Sequence, residues 1–423
     1  MWLLDKLLRR LVRKGQLLVT DYNGRLYRYG DGSGEPLAIR FTDKGASAHV
    51  ARDPRVGAGE AYMDGRLVVE PPHDIRDFVL LVMGQRDRHL ARPRGRLRRA
   101  TERIASRLDQ LNTRVQASRN IRHHYDLTRE FYELFLDEDR QYSMAYYRDP
   151  ANSLERAQLD KKTLIAAKLR LAPGMRVLDI GGGWGGLALY LNRHFGCEVT
   201  GVSLAPDQVR FANERAAAAG VADKVRFKLI DYRDVSGSFD RITSVGMIEH
   251  VGAGNFGDYF AKARELLAED GIMLTHTIGR AGPPGTTDRW TRKYVFPGGY
   301  IPAMSELVAA MEQARWEIAD VEVLRYHYAY TLAEWYRRAC LHEAEITALY
   351  DARLFRMWQF YLAGAEQSFR HGGLVNFHIQ SVRRRDAVPM TRDYMSAEAA
   401  RLSALDEAPA WHLGNEASGG RRR

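Results

Sequence analysis

The spacing of apolar residues changes along the chain, and the change predicts two structural units. Between residues 15 and 85, short runs of alternating apolar and polar residues are separated by glycine turns, which is typical of a small mixed domain. Strand-like runs occupy residues 24–29, 37–41 and 47–51, and residues 74–83 are typical of a helix. From residue 119, strand-like runs alternate with helical segments of about ten to fifteen residues, which predicts a parallel sheet.

Seven runs in the second unit have the length and apolar character of buried strands. They are residues 176–180, 198–203, 225–230, 241–245, 272–277, 317–324 and a last run near 375–382. Between the last two lies a helix-rich insertion, residues 331–370, that is dense in Trp, Tyr and Phe. The pattern predicts an α/β fold with a mostly parallel seven-stranded sheet, a helical insertion and a small N-terminal mixed domain.

Length and composition support this division. At 423 residues the chain is longer than one ordinary domain, and its 45% hydrophobic and 27% charged content is that of a globular protein. We assign residues 1–99 to the N-terminal domain with its linker and residues 119–403 to the α/β domain. Residues 404–423 form a tail whose composition is typical of disorder.

The net charge of +10 is distributed unevenly. Residues 1–14 predict an amphipathic helix that either lies in the headgroup layer of an anionic membrane or packs on the protein with its basic side in solvent. Its apolar face carries Trp2, Leu3, Leu4, Leu7, Leu8, Leu11 and Val12. Residues 86–99 contain seven arginines. This block either attracts phosphate groups or is a solvated hinge.

Cysteine content and hydropathy indicate a cytoplasmic protein. The two cysteines, Cys197 and Cys340, are far apart in sequence, so neither a disulfide framework nor a cysteine-built metal site is expected. No run approaches the roughly 18 apolar residues of a membrane span, and the charged N-terminus lacks the apolar core of a signal peptide. We therefore expect a cytoplasmic protein without a metal.

A glycine-rich loop between a strand and a helix predicts a nucleoside site. Residues 181–186 read Gly-Gly-Gly-Trp-Gly-Gly, and such a junction lets backbone N–H groups approach a ligand closely. A dinucleotide site would place an acidic residue near the end of the second strand, whereas this strand ends at Ser203 and continues to Gln208. The missing carboxylate argues against NAD and suits S-adenosylmethionine. Asp231, after the third strand, is placed to bind the adenine amino group.

Several longer motifs resemble those of one enzyme family. They are residues 141–147 (Gln-Tyr-Ser-Met-Ala-Tyr-Tyr), 244–252 (Ser-Val-Gly-Met-Ile-Glu-His-Val-Gly), 274–279 (Leu-Thr-His-Thr-Ile-Gly) and 293–299 (Lys-Tyr-Val-Phe-Pro-Gly-Gly). With the glycine loop, residues 59–65 and residues 327–332, they are similar to the cyclopropane fatty acid synthase and mycolic acid cyclopropane synthase family. The resemblance extends from about residue 55 to residue 395.

This resemblance implies a Rossmann-like class I methyltransferase fold and methylene transfer from S-adenosylmethionine to the cis double bond of a phospholipid acyl chain. It implies that a bound bicarbonate then accepts a proton from the resulting carbocation. The residues implied at the bicarbonate are Glu249, His276, the backbone of Ile278, Tyr328 and Met144, the last in place of a cysteine found in many members. Those implied to bind the cofactor are Tyr142, Ser143, Asp179, Gly181, Gly183, Ser203, Gln208, Asp231 and Tyr232.

The resemblance also implies a peripheral enzyme on the inner face of the cytoplasmic membrane. Its partners would be unsaturated phospholipids and an anionic membrane surface, with the small N-terminal domain engaging lipid. Family members are often dimers, but the sequence alone does not decide whether this chain forms a homodimer. No nucleic-acid partner is expected, since the chain has no Asn-Pro-Pro-Tyr-like or cysteine nucleophile motif for base chemistry.

Alternatives to this function stay open from the sequence alone. One is an enzyme that leaves a methyl or methylene branch on the same double bond, and another is a lipid-binding protein with a decayed site. Individual residues have structural alternatives as well: Glu249 and His250 as a helix-terminal pair, His276 as a core histidine, and Tyr328 as a packing aromatic.

Overall fold

The structure is a computed structural model that describes residues 1–85 and 127–407. The elements of the first range are, in chain order, α1 (Trp2–Leu11), β1 (Gln16–Thr20), β2 (Leu26–Gly30), β3 (Pro36–Phe41), α2 (Lys44–Arg52), α3 (Gly57–Met63), β4 (Leu67–Val69) and α4 (Ile75–Gly84). The strands form a sheet in the order β2-β1-β3-β4. Since β1 pairs with β3 in parallel and the other pairs are antiparallel, this is a mixed sheet flanked by helices.

The strand expected at residues 47–51 is wrong, because this segment lies inside α2. Asp43 precedes the helix, and its side chain accepts hydrogen bonds from the backbone N–H groups of Gly45 and Ala46. This cap satisfies two donors that the first helical turn leaves unpaired. Ala46 and Val50, one helical turn apart, are both buried. The apolar residues therefore follow a helical spacing that the short alternating run concealed.

The second range, residues 127–407, contains the larger sheet. Its elements are, in chain order, α5 (Arg129–Glu133), α6 (Leu154–Leu169), β5 (Arg176–Ile180), α7 (Gly186–Phe195), β6 (Glu198–Ser203), α8 (Pro206–Ala218), β7 (Val225–Leu229), β8 (Phe239–Val245), α9 (Ile248–Val251), α10 (Phe256–Leu266), β9 (Leu267–Arg280), α11 (Arg289–Tyr294), α12 (Met304–Gln313), β10 (Glu317–Leu324), α13 (His327–Leu341), α14 (Glu343–Leu349), α15 (Ala352–Arg370), β11 (Leu374–Val382) and α16 (Asp393–Glu407). In this range seven strands pair in the order β10-β11-β9-β8-β5-β6-β7.

The predicted mostly parallel sheet and its Rossmann-like class I methyltransferase fold are confirmed. Strand β11 is antiparallel to both of its neighbours, and the remaining adjacent pairs are parallel. The carboxyl ends of β5, β6, β7, β8 and β9 consequently lie at one edge of the sheet. Ligands of open α/β sheets bind at this edge, so the loops that follow these strands are the place to look for a site.

The helix-rich insertion expected at residues 331–370 is present as α13, α14 and α15. It packs against helices α3 and α4 of the N-terminal part. One continuous hydrophobic core joins Phe41 and Ile75 of the N-terminal part to Trp335 and Trp358 of the insertion. The two sheets are therefore separate, but the N-terminal part and the insertion share a core.

A buried ion pair reinforces this contact. Glu366 on α15 is fully buried, and its carboxylate accepts hydrogen bonds from Arg76 on α4 at 2.6 and 2.8 Å and from Arg370 at 2.7 Å. The Tyr336 hydroxyl donates to Asp74 at 2.8 Å at the same interface. The Glu366 carboxylate is buried, whereas both arginines are partly exposed, so its charge is balanced from two sides. These contacts hold α4 on the insertion.

The N-terminal helix divides its apolar residues between the core and solvent. Leu4, Leu8 and Val12 are buried, whereas Trp2 and Leu3 are 71% and 53% exposed. The packing interpretation therefore accounts for one side of α1. Trp2 and Leu3, on a helix that also carries basic residues, are exposed to solvent.

Some expectations fall outside the described residues. The arginine block at residues 86–99 lies there, as do residues 408–423 of the expected tail, whereas residues 404–407 belong to α16. Cys197 and Cys340 are both free thiols. Within residues 1–85 and 127–407, no helix combines the length and apolar character of a membrane span. No group of His, Cys, Asp and Glu side chains in these two ranges has the arrangement of a metal site.

Candidate active site

The glycine loop after β5 forms one wall of a cleft at the carboxyl edge of the large sheet. Gly181 and Gly183 have φ angles of +86° and +53°, in the left-handed region that glycine adopts without strain. The backbone N–H groups of Gly181 and Gly182 donate to the Val202 carbonyl at 2.9 and 3.2 Å. The loop is thereby tied to β6, and Gly186 begins α7 directly behind it.

The cleft, which measures about 1030 Å³ with the space open to solvent included, is bounded by polar and apolar groups. Eight of the nine predicted cofactor residues line it: Tyr142, Ser143, Asp179, Gly181, Gly183, Ser203, Gln208 and Tyr232. Apolar lining comes from Ile180, Trp184, Leu204 and Ile230. Apolar walls with a few hydrogen-bonding groups suit a nucleoside, which has a flat base and a hydroxyl-bearing sugar. The residues present therefore fit S-adenosylmethionine.

The ninth predicted residue, Asp231, lies beside the cleft with its carboxylate bound to Arg233. Oδ1 accepts from the Arg233 backbone N–H at 3.0 Å and from Nε at 2.8 Å, and Oδ2 accepts from Nη2 at 2.5 Å. Its chain neighbours Ile230 and Tyr232 do line the cleft. Asp231 would have to share its arginine partner to bind an adenine amino group, so its cofactor role stays a prediction.

Lys161 is a cleft residue that the sequence reasoning missed. It lies on α6, is 1% exposed, and donates from Nζ to Gln141 Oε1 and Ser143 Oγ, each at 2.8 Å. Gln158, one turn earlier, donates from Nε2 to the backbone carbonyls of Gln141 and Ser143 at 3.1 and 3.0 Å. The α6 helix thus holds the segment that carries Tyr142 against the cleft. The sequence carries no local signal for this role, because two polar residues three positions apart, such as Gln158 and Lys161, are usual on a solvated helix face.

Burial shifts the pKa values of two ionisable groups on this side of the cleft. Desolvation lowers the pKa of the Lys161 ammonium to about 7, and nearby carboxylates only partly oppose the shift. Desolvation also raises the pKa of Asp179, on β5, to about 7, against the opposing charge of Lys161. Burial thus disfavours the charged form of both groups, and their opposite charges partly offset one another.

Glu249 lies on α9, the short helix that follows β8, next to the cleft-lining residues Met247 and His250. Its Oε1 accepts a hydrogen bond from the backbone N–H of Ile278 at 2.6 Å. Its Oε2 is buried and has no hydrogen-bond partner among the residues that the structure describes. Burial raises the pKa of Glu249 to about 7. Glu249 is therefore a carboxyl group with one free oxygen that can be neutral at physiological pH.

His276 lies on β9, two residues before Ile278, so both residues are on the same face of the strand. The ring is 2% exposed, and its Nδ1 lies 2.8 Å from Nε2 of His378 on β11. Burial lowers the pKa of His276 to about 3, with a smaller effect from Lys161 and Lys168. His276 is thus a neutral imidazole.

Tyr328 lies on α13, and Met144 lies in the segment between α5 and α6. The Tyr328 ring contacts Trp335 and Phe369, with ring centroids 5.8 and 4.9 Å apart. Met144 is fully buried, and the next residue, Ala145, donates its N–H to Thr331 Oγ1 at 3.0 Å. The geometry joins Glu249 directly to Ile278. The roles of Tyr328 and Met144 stay predictions.

Comparison with known proteins agrees with this geometry. A family model described as mycolic acid cyclopropane synthetase matches residues 112–379. The chain is 37% identical over 338 residues to the cyclopropane-fatty-acyl-phospholipid synthase of Escherichia coli (strain K12), which covers 79% of this chain and 85% of that protein. It is 40% identical over 268 residues to a probable fatty acid methyltransferase of Pseudomonas putida, covering 61% and 67% of the two chains.

A solved structure shares the fold and part of the sequence. The mycolic acid cyclopropane synthase CmaA1, in complex with SAH and CTAB, has a TM-score of 0.60 and 29% sequence identity. The match covers 62% of this chain and 97% of that one. SAH is the product that a methyl donor leaves behind, so the matching fold holds the same type of cofactor that the cleft residues fit.

Proposed function

The chain belongs to the mycolic acid cyclopropane synthetase family, and from this premise we propose that it converts the cis double bond of a phospholipid acyl chain into a cyclopropane ring. It is an S-adenosylmethionine-dependent methyltransferase. The further proposal is that bicarbonate, bound beside the cleft, accepts the proton that must leave. One observation carries it: Oε2 of Glu249 is buried and lacks a partner within residues 1–85 and 127–407.

The chemistry places two demands on the protein. S-adenosylmethionine, when bound, supplies a methyl group activated by a positively charged sulfur. An isolated alkene is a weak nucleophile, so the protein must hold the double bond in line with that methyl group and exclude water. The α6 helix meets part of this demand, because Lys161 and Gln158 hold the segment around Tyr142 at the cleft.

The second demand is the removal of a proton. After the π electrons of the alkene bond to the methyl carbon, a cation remains on the acyl chain. Loss of a proton from the added carbon lets its C–H electron pair close the ring. Neutral Glu249 can donate from Oε2 to an anion, and neutral His276 adds a second hydrogen-bonding group nearby. Two uncharged groups hold an anion while leaving it basic.

The role proposed for Ile278 differs from the direct contact that the resemblance implied. Its backbone N–H is occupied by Glu249 Oε1 at 2.6 Å. Ile278 therefore orients the carboxyl group so that Oε2 faces away from the strand. Its contribution to anion binding is indirect.

A branched product is the second candidate. The name of the Pseudomonas putida relative, a probable fatty acid methyltransferase, favours it. In that case the proton would leave from a carbon of the acyl chain, and no ring would form. Ring and branch differ only in where the accepting base lies.

Labelled cofactor distinguishes these outcomes. The full chain is incubated with methyl-labelled S-adenosylmethionine and vesicles of an unsaturated phospholipid, with and without added bicarbonate. We expect the label in cyclopropane carbons, by mass spectrometry and NMR of the fatty acids, and a lower rate when bicarbonate is removed. A labelled methyl or methylene branch without a ring would favour the second candidate. Label in neither product would exclude both.

We also propose that α1 contacts the inner face of the cytoplasmic membrane. Exposed Trp2 and Leu3 lie beside basic residues at the end of the molecule, which is the composition of an interfacial helix. A Trp2→Ser/Leu3→Ser double variant should bind anionic vesicles roughly 100-fold more weakly, since burying two such side chains is worth about 3 kcal/mol. Leu341→Ser is the matched control, because Leu341 is equally exposed at 67% and lies at the end of α13. Equal binding of both variants would reject the contact.

A further inference from the structure

The imidazole of His276 is the inner end of a buried row of side chains that crosses the large sheet. His276 on β9 lies directly opposite His378 on β11, and His378 lies directly opposite Glu322 on β10. Residues directly opposite on antiparallel strands project to the same face, so the three side chains form one row. Lys168, in the last turn of α6, reaches this row from above the sheet.

Polar contacts along the row are continuous. His276 Nδ1 lies 2.8 Å from His378 Nε2, and His378 Nδ1 lies 3.1 Å from Lys168 Nζ. Lys168 also forms an ion pair with Glu322. His276, His378 and Lys168 are at most 2% exposed, whereas the Glu322 side chain is 27% exposed. The row thus connects the active-site imidazole to a carboxylate at the edge of the sheet.

The donor properties of these groups set one direction for the hydrogen bonds. An ammonium group donates hydrogen bonds and cannot accept them. Burial lowers the pKa of Lys168, and the ion pair with Glu322 opposes that shift and favours the cation. The Lys168 ammonium donates to His378 Nδ1, which leaves the His378 proton on Nε2. That N–H donates to Nδ1 of His276, so the proton of His276 lies on Nε2. Both rings are neutral, because burial lowers the pKa of His276 to about 3 and that of His378 well below its usual range.

The opposite direction has weaker support. It would require Asn376 Nδ2 to donate to His276 Nε2, but these atoms are 3.5 Å apart, which is long for a hydrogen bond. It would also direct an N–H of His378 at the Lys168 ammonium, and the charge-assisted bond is the stronger of the two.

We infer that Glu322, Lys168 and His378 are positioning residues that fix the tautomer of His276, so that its Nε2 presents an N–H to the anion beside Glu249. The catalytic consequence rests on the proposed function. The tautomer itself is a property of the free protein. It can therefore be measured without lipid or cofactor.

Nitrogen NMR of the full chain labelled with ¹⁵N-histidine tests the inference. His276→Gln and His378→Gln identify the resonances of the two rings. In the unsubstituted protein we expect both rings to be protonated on Nε2 and unprotonated on Nδ1. Lys168→Met keeps the chain length and removes the donor, so the Nδ1–H form of both rings should become populated. Glu322→Gln, a substitution at the partly exposed end, should shift both rings in the same direction to a smaller extent.

A control and an activity measurement complete the test. Tyr394→Phe removes a hydroxyl that bonds Gln380, close to Lys168, and should leave both tautomers unchanged. Lys168→Met should lower kcat roughly tenfold with an unchanged KM for S-adenosylmethionine, in line with losses of partners behind functional histidines. The inference is overturned if His276 carries its proton on Nδ1, or if Lys168→Met and Glu322→Gln leave both rings as they were.

The two proposals fail in different ways. A changed tautomer with an unchanged kcat would overturn the positioning role while the lipid product stood. An expected tautomer pattern in a protein that forms no lipid product would remove the proposed function and keep the hydrogen-bonded row. Each result is thus assigned to one proposal.

Discussion

The two walls of the catalytic centre are built differently. The cofactor wall consists chiefly of backbone and polar side chains from compact segments, the glycine loop at residues 181–186 and the loop at 203–208, with Lys161 and Asp179 among its ionisable members. The proposed anion wall consists of the buried ionisable side chains of Glu249 and His276, with His378 behind His276, and these residues come from three separate parts of the chain. The first wall binds through shape. The second depends on protonation states that burial sets.

This difference predicts that the walls respond to different perturbations. A substitution in the cofactor wall should change ligand affinity through backbone strain. A substitution in the anion wall should change turnover and the response to pH, with little change in cofactor affinity. The following three predictions test this separation.

Glu249→Gln should have the largest effect. The amide keeps the size of the side chain but removes a carboxyl group that can exchange a proton. We expect kcat to fall by about 10²–10⁴-fold, the usual contribution of a proton-transfer group. Affinity for S-adenosylhomocysteine, measured by calorimetry, should stay within about twofold of the parent protein. A variant with near-normal turnover would remove Glu249 from the mechanism.

The pH dependence of stability should report the same carboxyl group. Its pKa is about 7 in the folded protein and ordinarily 4.5, so both states are protonated below pH 4.5. Between pH 4.5 and 7 the unfolded chain ionises first, and the stability that the neutral carboxyl group contributes is lost as pH rises. The loss is complete above pH 7 and is at most about 3 kcal/mol, because it is set by the difference between the pKa values of the folded and unfolded states.

Urea unfolding of the parent protein and Glu249→Gln at pH 5 and pH 8 measures this loss. The amide does not ionise, so the variant should gain stability relative to the parent between the two pH values. Other titrating groups cancel in the difference. A difference that stays constant with pH would show that the Glu249 pKa is not raised.

Gly181→Ala should have the smallest effect and should act on the opposite wall. Gly181 has φ +86°, which costs a residue with a side chain about 1–2 kcal/mol, and there is room for the added carbon next to Met247 at 3.7 Å. The loop should relax from its binding conformation, so affinity for S-adenosylhomocysteine should fall about tenfold. Gly174→Ala is the matched control, since Gly174 has φ +77° with nothing within 4 Å. Equal affinities of the two variants would mean that strain in the loop does not govern binding.

The cofactor wall could be predicted from sequence because its signals are local. A strand, a glycine run and a helix are adjacent in the chain, and eight of the nine predicted residues line the cleft. Glu249 and His276 were found through their motifs. His378 was not found, because its contact with His276 spans 102 residues and depends on the pairing of β9 with β11. The strand expected at 47–51 failed for a local reason, the helix cap formed by Asp43.

Lys161 shows a different limit of sequence reasoning. Lysines on helices are usually solvated, and the spacing of α6 alone gives no reason to bury one. The helix crosses the cleft with Lys161 directed at Gln141 and Ser143, which places a cation where charge is costly. That placement follows from tertiary packing, which local pattern does not contain.

The buried carboxylate of Glu366 has a consequence for protein engineering. It is held by Arg76 from the N-terminal part and by Arg370 from its own helix, so charge balance at this point is shared between two distant segments of the chain. A chimaera that replaces residues 1–85 with those of a relative would separate these partners unless the donor also supplies an arginine at this position. Exchange of the N-terminal part between relatives therefore requires the joint transfer of α4 and α15 as a matched set.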